Sequence, residues 1–225
     1  MNQLCVGHRE IYKQLERQLQ NFFVNIDLSV IESKIDEAYK RCIAAISASN
    51  NKYLNPDGTP RFLLKHSGCW SIFLYYLSNS LRNISGGGAE TVYYLNKILH
   101  SVDWFYEIEL PDHFMVEHPL GSVLGRADYG DFLFIYQGVT VGGNMSLQNR
   151  NPIYPTLGNN IIFFSDAKVL GDVHVGNNVI FSANAYVINE DIPDDSIVFG
   201  MSPNLVIKHE PEKIKEYMKR IWKKN

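Results

Sequence analysis

The sequence predicts an α+β chain: an all-α N-terminal half, a parallel β-helix of hexapeptide repeats, and a C-terminal helix. Three observations carry that prediction: helix-spaced apolar stripes before residue 101, a six-residue apolar period after it, and a last stripe at helical spacing. A period of six belongs neither to an α-helix nor to a half-buried strand. It points to a coil whose short strands each send one side chain inward. The expected divisions are 1–101 for the helical half, 102–207 for the β-helix with a loop ejected at 144–156, and 208–225 for the last helix.

In chain order, Ile11, Leu15, Leu19, Phe22 and Phe23 fall on one helical stripe. Ser29-Val30-Ile31-Glu32 reads as a capping box opening a second helix through Ala48. Residues 50–60 (NNKYLNPDGTP) are dense in turn formers and break the chain, and the aromatic stretch 62–81 then resumes helical spacing. Ser85-Gly86-Gly87-Gly88 forms a joint before a helix at 90–100.

The clearest repeat is Leu157, Phe163, Val169, Val175, Phe181 and Val187, each six residues apart. An earlier run keeps one phase at Trp104, Leu110 and Val116, slips by one residue as a small bulge would make it do, and continues through Val123, Tyr129, Ile135 and Val141. Residues 144–156 are polar and aperiodic and read as a loop thrown out of the coil. Each coil rests only on its neighbours, so the stack needs covers at its ends. The tail, with Ile214, Tyr217, Met218, Ile221 and Trp222 at i, i+3, i+4, i+7 and i+8, is expected to be one of them.

Twenty-one basic against 24 acidic residues give a net charge of -3, which lacks the electropositive footprint of a nucleic-acid binder. Cys5, Cys42 and Cys69 are odd in number and unspaced for metal, against both a disulfide framework and a zinc knuckle. Charges interrupt the N-terminus where a signal peptide needs its apolar stretch, and no run approaches the ~20 apolar residues of a membrane span. The reading is a cytoplasmic protein with no membrane span.

Of seven histidines, His118 has the most telling position. It follows the inward Val116 by two residues and precedes Pro119-Leu120-Gly121, near a prism corner where a side chain can point outward into the groove between subunits. Asp103 sits fifteen residues earlier, on a neighbouring coil if one turn takes ~18 residues. A stacked His–carboxylate pair suits a hydroxyl acceptor. The alcohol must lose its proton as it attacks, and the carboxylate fixes the tautomer and steadies the imidazolium.

The strings VDW, VEHPLG, QGVTVGGN and IPDDSIVFGMSP, with the repeats between them, resemble the bacterial serine acetyltransferase family over about 100 residues, Asp103 to Pro203. The resemblance implies a left-handed β-helix and acetyl-CoA-dependent O-acetyl transfer to L-serine or a related hydroxyl compound. A homotrimer through the coils, often a dimer of trimers, is implied as well. On matched positions His118 is the general base and Asp103 its partner. Gly142-Gly143 lie beside the thioester and pantetheine arm, and Ser165 and Ala183 along coenzyme A. Glu117 stands where the family has an Asp that helps hold the acceptor. Acetyl-CoA is then a co-substrate, and no metal is implied.

The chain also departs from the family pattern. Ile153-Tyr154 replaces an Arg-His pair that grips the acceptor's carboxylate, leaving Arg150 and Tyr154 as acceptor-binding candidates. The family's Arg-Asp-Pro-Ala string has no clean match, and Asp57 in NPDG is the candidate for its Asp. The chain ends in Lys-Lys-Asn where members that dock into cysteine synthase end in isoleucine, so no such complex is expected. Three other readings stay open. One is a sugar O-acetyltransferase with Tyr136 and Tyr154 stacking on a sugar. Another is a β-helical zinc hydratase using His113 and His118, five residues apart, and the last is a scaffold without catalysis.

Overall fold

A computed structural model describes residues 7–145 and 151–223. Cys5, Arg150 and the last two residues of the Lys-Lys-Asn ending lie outside the described residues. The helical half contains α1 (His8–Phe22), α2 (Leu28–Glu32), α3 (Ile35–Ala48), α4 (Ser67–Leu81) and α5 (Gly88–His100). None of the described helices is long and apolar enough to cross a membrane.

The expected second helix is two helices. Asp27, not Ser29, is its cap: the carboxylate accepts the backbone N–H groups of Ser29 and Val30, and also the Ser29 hydroxyl at 2.6 Å. That bond takes the hydroxyl out of any capping role. The chain then breaks at Ser33-Lys34 before α3 begins. α4 starts at Ser67 and not at Phe62, because His66 caps it with Nδ1 accepting the Cys69 N–H at 3.2 Å. α4 is buried on nearly every side, and its polar side chains tie the helices to the first coil. The Tyr75 hydroxyl donates to the Ile108 carbonyl at 2.6 Å and accepts the Leu110 N–H at 2.9 Å, while Asn79 donates to the Tyr106 and Ile108 carbonyls.

From Asp103 the chain winds as a parallel β-solenoid of about five turns. Ile161 faces Val179, Lys168 faces Tyr186 and Thr156 faces His174, so a regular coil takes 18 residues. Across the ejected segment the step lengthens, with Leu133 facing Ile161. All six inward residues from Leu157 to Val187 are buried, and the Phe163 and Phe181 rings stack 4.5 Å apart. At one corner Asn160, Asn178 and Asp195 sit in the left-handed region. Short amide and carboxylate side chains tolerate that region best. Their side chains bond up the stack at 2.9 Å per step, which explains the Asn and Asp residues of the repeat.

The one-residue slip is the sum of two changes. Leu124, not Val123, is the inward residue: Leu124 is 0% exposed and Val123 38%. It stands eight residues after Val116, and Tyr129 follows after five, so a gain of two is succeeded by a loss of one. The coil ends in an antiparallel hairpin, Ser196–Met201 with Asn204–His209, that the six-residue period did not announce. The last helix, α6, is therefore Pro211–Ile221 and shorter than 208–225.

α6 is also not an end cover. Met115, Phe134, Ile162, Ile180 and Ile197 form an outward ladder on one face, one residue per coil, and all are buried. α6 runs along the prism as a strap. Tyr217 meets Phe164, and Trp222 meets Phe132 and Phe134. Its end is fastened to the helical half, where Asn50 Nδ2 donates to the Lys219 and Trp222 carbonyls and the Lys223 N–H to Ala48.

The last turn of α5 buries His100, whose Nδ1 lies 2.8 Å from Asn96 Oδ1. Desolvation pulls this imidazole down from 6.5 to about 4. The unfolded chain therefore binds a proton that the folded chain refuses between those values, and stability falls as pH drops from 6.5 toward 4. The expected size is roughly 3 kcal/mol. Urea melts at pH 7 and pH 4.5 should show the loss, and His100→Gln should shrink the difference between the two midpoints.

Candidate active site

The gain of two residues creates the site. Gly138 follows Ile135 by three residues in the regular corner, whereas Gly121, stacked on Gly138, follows Val116 by five. The widened corner holds Glu117, His118, Pro119 and Leu120. His118 is exposed, in the left-handed region at φ 51°, and makes no hydrogen bond with the described residues.

Asp103 belongs to the strand Asp103–Trp104, which pairs with Val123–Leu124 just past that corner. Its carboxylate turns to α5. The Tyr93 hydroxyl donates to Oδ1 and the Lys97 ammonium to Oδ2 at 2.7 Å. Burial, then the bond to Asp103, pushes the Tyr93 phenol up to about 12, and the same carboxylate raises Lys97. No hydrogen bond joins Asp103 to His118, so the stacked pair expected from the spacing is not formed. A fixed cation and a phenol one helical turn apart on α5 outbid an imidazole that carries no obligatory charge.

Beside His118, Glu117 opens into a cavity of about 320 Å³. Its polar wall is Asn50, Asn51, Lys52, Glu117, Tyr136 and Arg220, over an apolar floor that includes Met115 and Phe134. Three stretches of chain meet there: the turn after α3, the first coils and the end of α6. Burial and then the Glu117 carboxylate push the Tyr136 phenol up to about 12.

His66 lies against the strand that leads into Glu117, outside the cavity lining. A Cβ on Gly68 would stand 3.1 Å from the Val116 carbonyl and 3.3 Å from both Val116 Cγ2 and His66 Cε1. Glycine thus lets α4 begin hard against the strand that leads into Glu117 and His118. Burial lowers the His66 pKa, with Glu117 raising it and His118 lowering it further. Because Nδ1 accepts the helix N–H, the proton of the neutral ring sits on Nε2. Nothing in the sequence singled out His66, since histidine is outside the usual set of N-cap residues.

The remaining candidates are spread along the coil edge. Gly142 has open space where a side chain would be, whereas a Cβ on Gly143 would come 2.7 Å from the Tyr154 ring. Tyr154 covers Gly143 and does not line the Glu117 cavity. Ser165 and Ala183 stand one regular coil apart, and the Asn184 N–H bonds to the Ser165 carbonyl at 2.9 Å. Asp57 lies in an exposed turn, 3.6 Å from Arg61, and outside the cavity lining, whose edge there is Asn50-Asn51-Lys52. His113 is 2.8 Å from Asp131 and stacked on Phe132. Among the described residues no three His, Cys, Asp or Glu side chains are grouped to hold a metal ion.

No family model matches the chain. Curated relatives do. A serine acetyltransferase of Synechococcus elongatus is 35% identical over 83 residues, 36% of this chain and 33% of that protein. One of Staphylococcus aureus is 24% identical over 119 residues, 52% of this chain and 55% of that protein. The chain thus spans between a third and a little over half the length of these relatives. Among solved structures, Neisseria gonorrhoeae serine acetyltransferase superposes with a TM-score of 0.70 at 20% identity, over 91% of this chain and 80% of that one. A serine acetyltransferase solved in complex with CoA gives 0.68 at 19% identity, over 89% and 84%. The fold is that of the serine acetyltransferases, and the sequence likeness is to the same enzymes.

Loss of the His66 cap is expected to cost about 1 kcal/mol, which in a chain of this size is a melting shift of roughly 2–4 °C. His66→Ala should show that shift in a thermal melt, and His66→Asn, which restores a capping oxygen, should recover most of it.

Proposed function

We propose that this chain, a relative of the serine acetyltransferases in sequence and fold, is an acetyl-CoA-dependent O-acetyltransferase. Its acceptor is L-serine or a closely related hydroxyl compound. The observation that carries the reading is the widened corner, which sets an unbonded imidazole outside the prism next to a cavity containing Glu117. His118 takes the proton from the acceptor hydroxyl as the oxygen attacks the acetyl thioester, and returns it to the departing thiolate. Glu117 holds the acceptor. Asp103 serves His118 as its charge develops, because an imidazolium competes with Lys97 for the carboxylate where a neutral ring does not.

Acetyl-CoA is the second substrate. The open face of Gly142, with Gly143 beside it, suits the thioester end, and the small side chains of Ser165 and Ala183 leave the coil edge clear for the rest of the molecule. Tyr154 closes over Gly143 at this end. The sugar and hydratase readings lack comparable support: of the two rings offered for a sugar only Tyr136 lines the cavity, and the His113 imidazole is engaged by Asp131.

The chain assembles as a homotrimer through its coils, a reading supported by the fold and by the exposed Leu120 in the catalytic corner and Val123 just past it. It works in the cytoplasm, where the free, buried thiols of Cys42 and Cys69 stay reduced.

His118→Ala is expected to lower acetyl-CoA-dependent thiol release with serine by about 10²-fold or more, with acetyl-CoA binding by calorimetry retained. Asp103→Ala should lose less. Undiminished turnover in the His118 variant would overturn the assignment.

A further inference from the structure

We propose that Arg220 and Lys52 are the acceptor's carboxylate anchor, facing Glu117 across the same cavity, so that a strap helix supplies the specificity of the site. This rests on the function proposed above and goes beyond it in naming residues and substrate class.

The argument begins with charge. The cavity carries one carboxylate, Glu117, and two cations, Lys52 and Arg220. A pocket with both signs on opposing elements matches a zwitterion better than a neutral polyol: the acid takes an ammonium and the cations a carboxylate. Two cations of the helical half are committed elsewhere. Lys97 is bound to Asp103, and Arg41 to Asp112 and Asn79. Ile153 and Tyr154 bring no charge.

Both cations are free to act. Arg220 donates one Nη to Glu216 at 2.6 Å in an exposed i,i+4 pair, each side chain about two-thirds exposed. Such pairs are weak, and the planar guanidinium can keep that bond on one edge while offering another to a carboxylate. The Lys52 ammonium lies 5.0 Å from the Tyr53 ring centroid and makes no ion pair among the described residues. The Asn50 bonds to the Lys219 and Trp222 carbonyls hold the end of α6 against the turn that carries Lys52, which keeps the two cations on one rim.

Two acceptors separate the roles: L-serine, and serinol, in which a hydroxymethyl group replaces the carboxylate. Wild-type protein should prefer serine. Arg220→Gln and Lys52→Gln should each raise KM for serine at least about fivefold, and should leave serinol turnover, acetyl-CoA binding and the melting temperature unchanged. Arg220→Lys should recover part of the serine preference. A serine-to-serinol ratio unaltered in both Gln variants overturns the anchor and leaves the proposed activity standing. Absence of serine turnover in the wild-type protein, with acetyl-CoA bound, overturns the acceptor assignment and the anchor with it.

Discussion

The structure depends on one register. Eighteen residues close a regular coil, so that Phe181 rests on Phe163 and Val187 on Val169, and the last coil closes in seventeen. Corner residues follow the ladder, eighteen residues from Asn160 to Asn178 and seventeen from Asn178 to Asp195, and their side chains bond to one another up the stack. Each coil in such a stack rests only on its neighbours, so a break in the count is felt at the coils beside it. The count is broken where it matters: two additional residues at the Glu117–Leu120 corner swing His118 out of a surface that otherwise repeats, and the long excursion after Gly143 interrupts a second edge. The candidate site residues sit at the departures, and the rule fixes their position.

The rule was legible in the sequence because its signal is periodic. Six buried apolar residues spaced by six identify the coil without any tertiary information. Legibility failed where a local competitor intervened. Asp27 displaced Ser29 as a cap by engaging the serine hydroxyl itself. Val123 and Leu124 could not be ranked from spacing, since a gain of two followed by a loss of one has the same net phase as a single slip. The strap position of α6 was hidden for another reason. Its apolar stripe states that one face is covered, whereas the outward ladder that it covers lies on five coils read as inward-only.

The site divides in the same way. Glu117 and His118 were found because they sit in a recognisable string, and the structure places Glu117 at the edge of the cavity. The Asp103–His118 pair was inferred from spacing, and spacing does not record that Lys97 and Tyr93 lie one turn apart on the helix packed against it. Lys52 and Arg220 come from two segments with no common motif. Only the packing of the turn after α3 and of α6 on the coils brings them to one cavity with Glu117, so no window of sequence contains the pocket.

The strap has a consequence in time. A ribosome delivers the helices first and the coils next, and each coil can settle on its predecessor as it emerges. The Arg220 wall of the Glu117 cavity follows all of them in chain order, and its fastening points at Ala48 and Asn50 belong to the helical half made first. A nascent chain can therefore finish its solenoid and still present an open half-cavity, which closes only when the strap docks.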